Sequence, residues 1–436
     1  MKISVFGLWH LGSVVSACLA SKEHTVVGVD SDPKIVKLMS NGKAPIYEPN
    51  LNELIQDRLE KKYLKFMDIS SQAFKDTEIV WITHDTPVND DDIADVDYVI
   101  NQIKLILPLI KKGTLILISS QLPIGTIKFL EEYTEKHFSK NDIRFACSPE
   151  NLRLGQAINI FENPDRIIVG VRHIEDKIKL FELISPITKN IVWMGIESAE
   201  MTKHAINAFL ATSITFTNEI ASLCEATGAN AKEVEQGLKT EVRIGQRAYV
   251  SPGGAFSGGT LARDINFLND IGKQIDLSIP VLSSVRLSND EHKKWVRRKL
   301  KAHFGSLRGK KISVLGLTYK PGTDTLRRSA SVELCNWILL MGGQINVYDP
   351  VVKKMPQSWG RNVRICSSAI DTLKNSDALI IGTEWPEFKK INFNFSFPKN
   401  RSFPIFDANC FLKSLSDNEN IKYYSVGIPI ILKDNK

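Results

Sequence analysis

The chain has 436 residues, 43% hydrophobic and 24% charged, with a formal net charge of +7. Its 26 glycines and 18 prolines follow no period, which excludes collagen-like, coiled-coil and disordered chains. Charges of both signs are interspersed apart from one short patch, Lys293–Lys294 with Arg297–Lys299, which reads as a solvated helix face, so no nucleic-acid partner is expected.

The first apolar run, Ile3–Gly7, ends in glycine; Leu11–Ala20 reads as a helix and His24–Asp30 as a strand ending in an acid. Strand, glycine turn, helix and strand make a βαβ unit, whose paired strands run parallel and buried. Further apolar runs at Ile79–Thr83, Thr114–Ser119, Arg144–Cys147 and Arg166–Val171 extend it into a doubly wound α/β sheet. The longest apolar stretch, Leu105–Ile118, is broken by Lys111–Gly113 and cannot span a bilayer, so no membrane is expected. No leader pattern precedes the first strand, and the expected location is cytoplasmic.

Ser198–Ala229 has helical apolar spacing (Met201, Ala205, Ala208, Phe209, Thr212) and no proline; helical segments continue to Lys301 around a glycine-rich stretch, Ser251–Gly259. At Lys310 the opening pattern restarts, with strand Lys311–Gly316, helix Ser331–Met341, strand Gln344–Asp349 and strand Ala378–Gly382. The expected organisation is 1–196, a dinucleotide-binding domain; 197–301, a central helical domain; and 302–436, a second α/β domain. Six scattered cysteines without a CxxC pair imply reduced thiols, and no histidine shows metal-ligand spacing, so no metal is expected.

The first turn reads Gly7-Leu8-Trp9-His10-Leu11-Gly12. Gly7 and Gly12 match the first and third glycines of the dinucleotide fingerprint, and Trp9 takes the second, where the backbone approaches the phosphates closely. Asp30 lies about 20 residues on, where an acid receives ribose hydroxyls and repels a 2′-phosphate, which favours NAD over NADP. The alternative is a plain tight turn with Asp30 as a helix N-cap.

Over nearly its whole length the chain resembles the UDP-glucose/GDP-mannose dehydrogenase family. Gly42–Pro49 is similar to the family's G-x-x-P-I-x-E-P segment, and Asp85-Thr86-Pro87 to its V-x-T-P loop. Ser148-Pro149-Glu150 with Asn163–Arg166 is similar to P-E-F-L…N-P-D-R. Lys203 and Asn207 match K-x-x-x-N, Gly309–Asp324 matches G-K-x-I-x-V-L-G-L-x-F-K-P-x-T-D, and Gly382–Phe388 is similar to T-E-W-x-E-F. The resemblance implies two Rossmann-like doubly wound parallel-sheet domains joined by a long central helix or helical domain. It implies oxidation of C6 of a nucleotide-linked hexose to the aldehyde and then the carboxylate with two NAD, for polysaccharide or glycoconjugate precursors. It further implies a homodimer built on the central helix and a UDP-hexose in preference to a GDP-hexose.

The family's second oxidation uses a cysteine in G-F-G-G-S-C-F-x-K-D; here that loop reads Ala255–Asp264, with Asp264 kept and Thr260 in the cysteine's place. A thiol of pKa near ~8.5 is partly ionised at neutral pH and a threonine hydroxyl is not, so Thr260 puts the covalent route in doubt. Cys147, next to Ser148–Glu150, is the most suggestive substitute thiol, against a plain buried one. Lys203 and Asn207, one helical turn apart, suit a developing alkoxide or a fixed water, with Asp264 as general base through that water and Glu150 as a second proton carrier. Gln121 replaces the Thr of the family's S-T-V-P, Asn151 the Phe of P-E-F, and Leu154 the Glu that follows.

Cofactor contacts implied by the resemblance are Gly7, Leu11, Gly12, Asp30, Lys34, Thr86 and Ser120. Substrate contacts are Glu150, Arg243, Phe256, Gly258, Lys320 and Arg327. Three activities remain open: full oxidation to the uronate, oxidation that stops at the aldehyde, and a non-catalytic protein that binds NAD and nucleotide sugar.

Overall fold

The computed structural model describes residues 1–89, 93–150, 152–257, 259–352, 355–356, 359–393, 397 and 402–429. The chain divides into two compact units, Met1–Ile206 and Asn207–Lys436.

The first unit runs β1 (Lys2–Phe6), α1 (His10–Ser21), β2 (Thr25–Asp30), α2 (Pro33–Ser40), α3 (Leu51–Glu60), β3 (Leu64–Asp68), β4 (Ile79–Ile82) and α4 (Val96–Ile106). It continues with β5 (Leu115–Ile118), α5 (Thr126–Phe138), β6 (Arg144–Cys147), α6 (Ala157–Glu162), β7 (Ile167–Gly170), α7 (Ile174–Ile184) and β8 (Ile191–Met194). The helix α8 (Ile196–Thr227) starts here and ends in the second unit. The strands form one sheet in the order β3-β2-β1-β4-β5-β6-β7-β8. Its central strands β4 (Ile-Val-Trp-Ile) and β5 (Leu-Ile-Leu-Ile) are buried at every residue, which is why they read as unbroken apolar runs. Helix α1 is buried from Leu11 to Ala20, a run of small and apolar residues without a charge. The N-cap of α2 is Asp32, which accepts from Lys34 N, with Pro33 at the first helical position.

One local expectation is corrected. The strand Arg166–Val171 belongs to the sheet, but β7 meets β6 antiparallel, through the pair Cys147↔Gly170, and β8 follows β7 in parallel. Among its described residues the connection at 148–166 contains only a six-residue helix, so no full crossover helix returns the chain to start a parallel strand.

The second unit continues after α8 with α9 (Ala231–Thr240), α10 (Thr260–Gln274), α11 (Pro280–Lys293), α12 (Trp295–Phe304), β9 (Lys311–Leu315), α13 (Ala330–Leu340) and β10 (Gln344–Tyr348). It closes with β11 (Val363–Ile365), α14 (Ala369–Thr372), β12 (Ala378–Ile381), β13 (Phe403–Phe406) and β14 (Ile421–Tyr424). Its sheet, ordered β11-β10-β9-β12-β13-β14, is parallel throughout.

The restarting pattern is a repeat in wiring as well as in order. Lys2-Ile-Ser-Val-Phe-Gly-Leu8 and Lys311-Ile-Ser-Val-Leu-Gly-Leu317 both carry a positive-φ glycine at the sixth place, Gly7 at 101° and Gly316 at 85°. Leu8 N donates to Asp30 (2.6 Å) as Leu317 N does to Asp349 (2.7 Å). Ser13 donates to Leu8 O (2.8 Å) as Ser329 does to Leu317 O (2.5 Å), and Ser4–Thr77 (2.7 Å) is mirrored by Ser313–Ser376 (2.7 Å). Each of these bonds satisfies a buried polar group, a requirement both units share. Among the described residues, no helix is long and apolar enough to cross a membrane.

Candidate active site

The glycine turn sits at the carboxyl end of β1, where an open α/β sheet binds ligands and the amino end of α1 faces an anion. A Cβ at Gly12 would lie 1.8 Å from Gly7 O, so only glycine allows α1 to close on the strand. Trp9 fits the second position because its φ is −74°, within reach of any residue, and its indole is 41% exposed. The Leu11 side chain is buried in the core, which leaves its backbone as the part available to a cofactor. Asp30 is buried; its two oxygens accept from Leu8 N (2.6 Å) and Asp32 N (2.9 Å), so it braces the turn. The helix N-cap read for Asp30 as an alternative belongs to Asp32. Lys34 is exposed in the first turn of α2. This cradle, tight at Gly12 and acidic at the end of β2, fits NAD.

Around it, Thr86 is buried and donates to Gln121 O (2.6 Å), joining the loops after β4 and β5. The Ser120 hydroxyl is closed off from solvent and has no hydrogen-bond partner among the described residues. His84, two residues before Thr86, lies edge-on to Phe6 with ring centroids 4.4 Å apart. Both His84 ring nitrogens are buried with no hydrogen-bond partner among the described residues, and burial pushes its imidazole down to about 4.

The segment after β6 carries Glu150, whose carboxylate accepts from Leu152 N and whose carbonyl accepts from Lys203 Nζ (2.5 Å). Glu150 and Lys203 are therefore brought together within the first unit. Asn151 lies outside the described residues. Leu154 is 45% exposed, and Gln121 is half-buried.

In the second unit, Asn207 is buried and donates through Nδ2 to Asp264, which is 0% exposed on α10. Thr260, the first residue of α10, is exposed, behind Gly259 at a φ of 106°. The glycine-rich loop before it is fixed by side chains the sequence reading missed. Asn289 of α11 clamps Phe256 at both N and O (2.9 Å each). Asn218 accepts from Gly253 N, His292 bonds Gly253 O, and Asn409 accepts from Gly254 N. Gly258 lies outside the described residues. Arg243, Lys320 and Arg327 are all exposed; Arg243 bonds Glu241 (2.8 Å) and Lys320 lies over the Tyr319 ring.

The substitute-thiol reading of Cys147 is corrected. Cys147 is buried in β6 against the core, and burial pushes its thiol far above the ordinary range, away from a nucleophilic thiolate. All six cysteines are free, and five of them are buried. Among the described residues, no group of three or more His, Cys, Asp or Glu side chains could hold a metal ion.

Three family models match the chain in order: UDP-glucose/GDP-mannose dehydrogenase family, NAD binding domain (residues 1–188), central domain (197–291) and UDP binding domain (313–414). The chain is 33% identical to the UDP-glucose 6-dehydrogenase of Rickettsia prowazekii (strain Madrid E), over 99% of its own length and all of that protein's. It is 31% identical to that of Rhizobium meliloti (strain 1021), over 98% of its own length and all of the relative's. A solved UDP-glucose dehydrogenase from the hyperthermophilic archaeon Pyrobaculum islandicum is similar in fold, with a TM-score of 0.83 at 26% identity over 98% of each chain.

Proposed function

The chain belongs to the UDP-glucose/GDP-mannose dehydrogenase family, an NAD-dependent oxidoreductase family, and from that premise we propose that it oxidises C6 of a nucleotide-linked hexose, UDP-glucose or a close UDP-hexose rather than a GDP-hexose. The relatives named for UDP-glucose support the nucleotide and the sugar. The observation that carries the chemistry is the Asn207–Asp264 pair, a fully buried carboxylate held by a buried amide one helical turn from Lys203. A protein that only bound nucleotides would have little use for such a proton-handling set.

NAD, when bound, accepts hydride. In the first oxidation, C6 loses a hydride as the proton on its oxygen leaves. Asp264 receives that proton through a water, and Lys203 and Asn207 steady the developing oxyanion. Water then adds to the aldehyde. The hydrate loses a second hydride and a second proton to give the carboxylic acid, which sheds a third proton to water as the carboxylate, with Glu150 as the further proton carrier. Two hydrides leave per uronate, so two NAD are consumed. This route forms no ester at Thr260, whose unactivated hydroxyl is a poor nucleophile.

Thr260 also favours a second reading, in which only the first oxidation occurs and the 6-aldehyde is the product. Incubation with NAD and a panel of UDP- and GDP-hexoses separates the two, with NADH counted per product and the product weighed. Two NADH with a uronate fit the first reading, and one NADH with a trapped aldehyde fits the second. If no sugar yields NADH, both fall and a binding protein is left.

The three-part division at 196/197 and 301/302 is part of the proposal and is supported by the spans of the three family models. So is a homodimer on α8: Phe209, Phe216 and Leu223 recur every seven residues and are 70%, 50% and 61% exposed. A cytoplasmic location fits the six free thiols.

A further inference from the structure

Glu48, from the Gly42–Pro49 segment, is a polar residue with three jobs and no role in the proposed chemistry. Its side chain is only 1% exposed. Oε2 accepts from His10 Nε2 (3.0 Å) and from Gly155 N (2.8 Å), and Oε1 accepts from Ala157 N (2.8 Å). Those partners belong to two different parts of the site. His10 is the first residue of α1, inside the glycine turn that faces the cofactor. Gly155 and Ala157 end the segment that carries Glu150, and the Glu150 carbonyl holds Lys203 Nζ at 2.5 Å. Within the first unit, one buried carboxylate thus ties the glycine turn, through His10, to the backbone of the segment whose Glu150 carbonyl holds Lys203. A surface carboxylate would lose such bonds to water; a buried one keeps them short and directional.

We propose that Glu48 is a positioning residue that sets the spacing between the cofactor turn and the Glu150–Lys203 segment. Its carboxylate geometry matters as well as its bulk. Three N–H donors converge on two acceptor oxygens, and a glutamine would turn an NH2 group toward one of those donors. The turnover arm of the test rests on the dehydrogenase reading; the cofactor arm rests only on the NAD-binding domain.

The experiment uses the full chain with Glu48→Gln, Glu48→Asp, His10→Ala and the Glu48→Gln/His10→Ala double variant. NADH affinity is read by energy transfer from tryptophan, kcat and KM with the sugar that the wild type turns over, and Tm by calorimetry. Glu48→Gln is expected to lower kcat about tenfold or more, because a small misplacement of reacting groups is costly, and to weaken NADH several-fold. His10→Ala is expected to weaken NADH with a smaller loss of kcat. In the double variant NADH should bind no more weakly than in the worse single one, since the two side chains act as a unit. Glu48→Asp should recover part of kcat. Unchanged kcat and NADH affinity in Glu48→Gln would overturn the proposal, as would losses that multiply in the double variant, or a lower Tm with both other readouts intact. If Glu48→Gln does not fold, Glu48→Asp and His10→Ala decide by the same readouts. If no sugar is turned over, the dehydrogenase reading fails while the NADH cycle still tests the His10–Glu48 coupling.

Discussion

Replacing His84 with valine should flatten the acid limb of the stability curve of the first unit. His84 is 5% exposed, its ring nitrogens have no hydrogen-bond partner among the described residues, and burial lowers its pKa from 6.5 to about 4. In the unfolded chain it regains about 6.5, so between pH 6.5 and 4 the unfolded state binds the extra proton, and stability falls as pH falls through that window. The full difference of about 2.5 units corresponds to roughly 3 kcal/mol at about 1.4 kcal/mol per unit. Between pH 7 and pH 5 alone it comes to about 2 kcal/mol. Valine stands at this place in the family's V-x-T-P pattern and carries no proton. Any cavity it leaves beside Phe6 and Tyr98 costs the same at every pH. The assay is amide exchange at β1 and β4, together with urea unfolding of the full chain, for both proteins from pH 5 to pH 7.5. The difference between the two stabilities should change by about 2 kcal/mol across that range, in favour of the variant at acid pH. Parallel curves would show that His84 finds a proton-holding partner in the folded protein and would refute the reasoning.

Gly12→Ala places a methyl group 1.8 Å from the Gly7 carbonyl oxygen and 2.7 Å from the Thr83 hydroxyl, so a loss of about 3 kcal/mol or more and of NADH binding is expected in calorimetry and titration. Asn289→Ala removes both bonds to the Phe256 backbone; a loss of about 2 kcal/mol should accompany a raised KM for the sugar nucleotide, while NADH affinity, which belongs to the other unit, stays put.

The glycine turn was legible because its requirements are local. Gly7, Gly12 and Asp30 lie on consecutive elements, and the spacing of strand, turn and strand is fixed by peptide geometry. The central strands were legible because burial on both faces makes them continuously apolar; β3 and β8, which alternate or lie half-exposed, gave no such signal. The reversal of β7 was hidden, since an apolar run has no direction until its partners are known. In the sequence Glu48 is only one letter of a motif, for its partners lie 38 and more than 100 residues away. Asn289 and Asn409 carried no pattern at all, because an asparagine that clamps a distant backbone resembles any surface asparagine.

By itself, then, the sequence determined the two α/β halves, the helix that follows the first and the tight glycine turn after the first strand, and it named the candidate site residues. All of these follow from periodicity, glycine placement and side-chain chemistry, which act over a few residues. Tertiary structure alone decided which of those residues are held and which are buried out of use. Cys147 became a core thiol and Asp30 a brace for its own turn; Asp264 gained the Asn207 amide, and Glu48 gained three donors. Burial and long-range hydrogen bonds set ionisation and geometry, and both exist only once distant segments have packed.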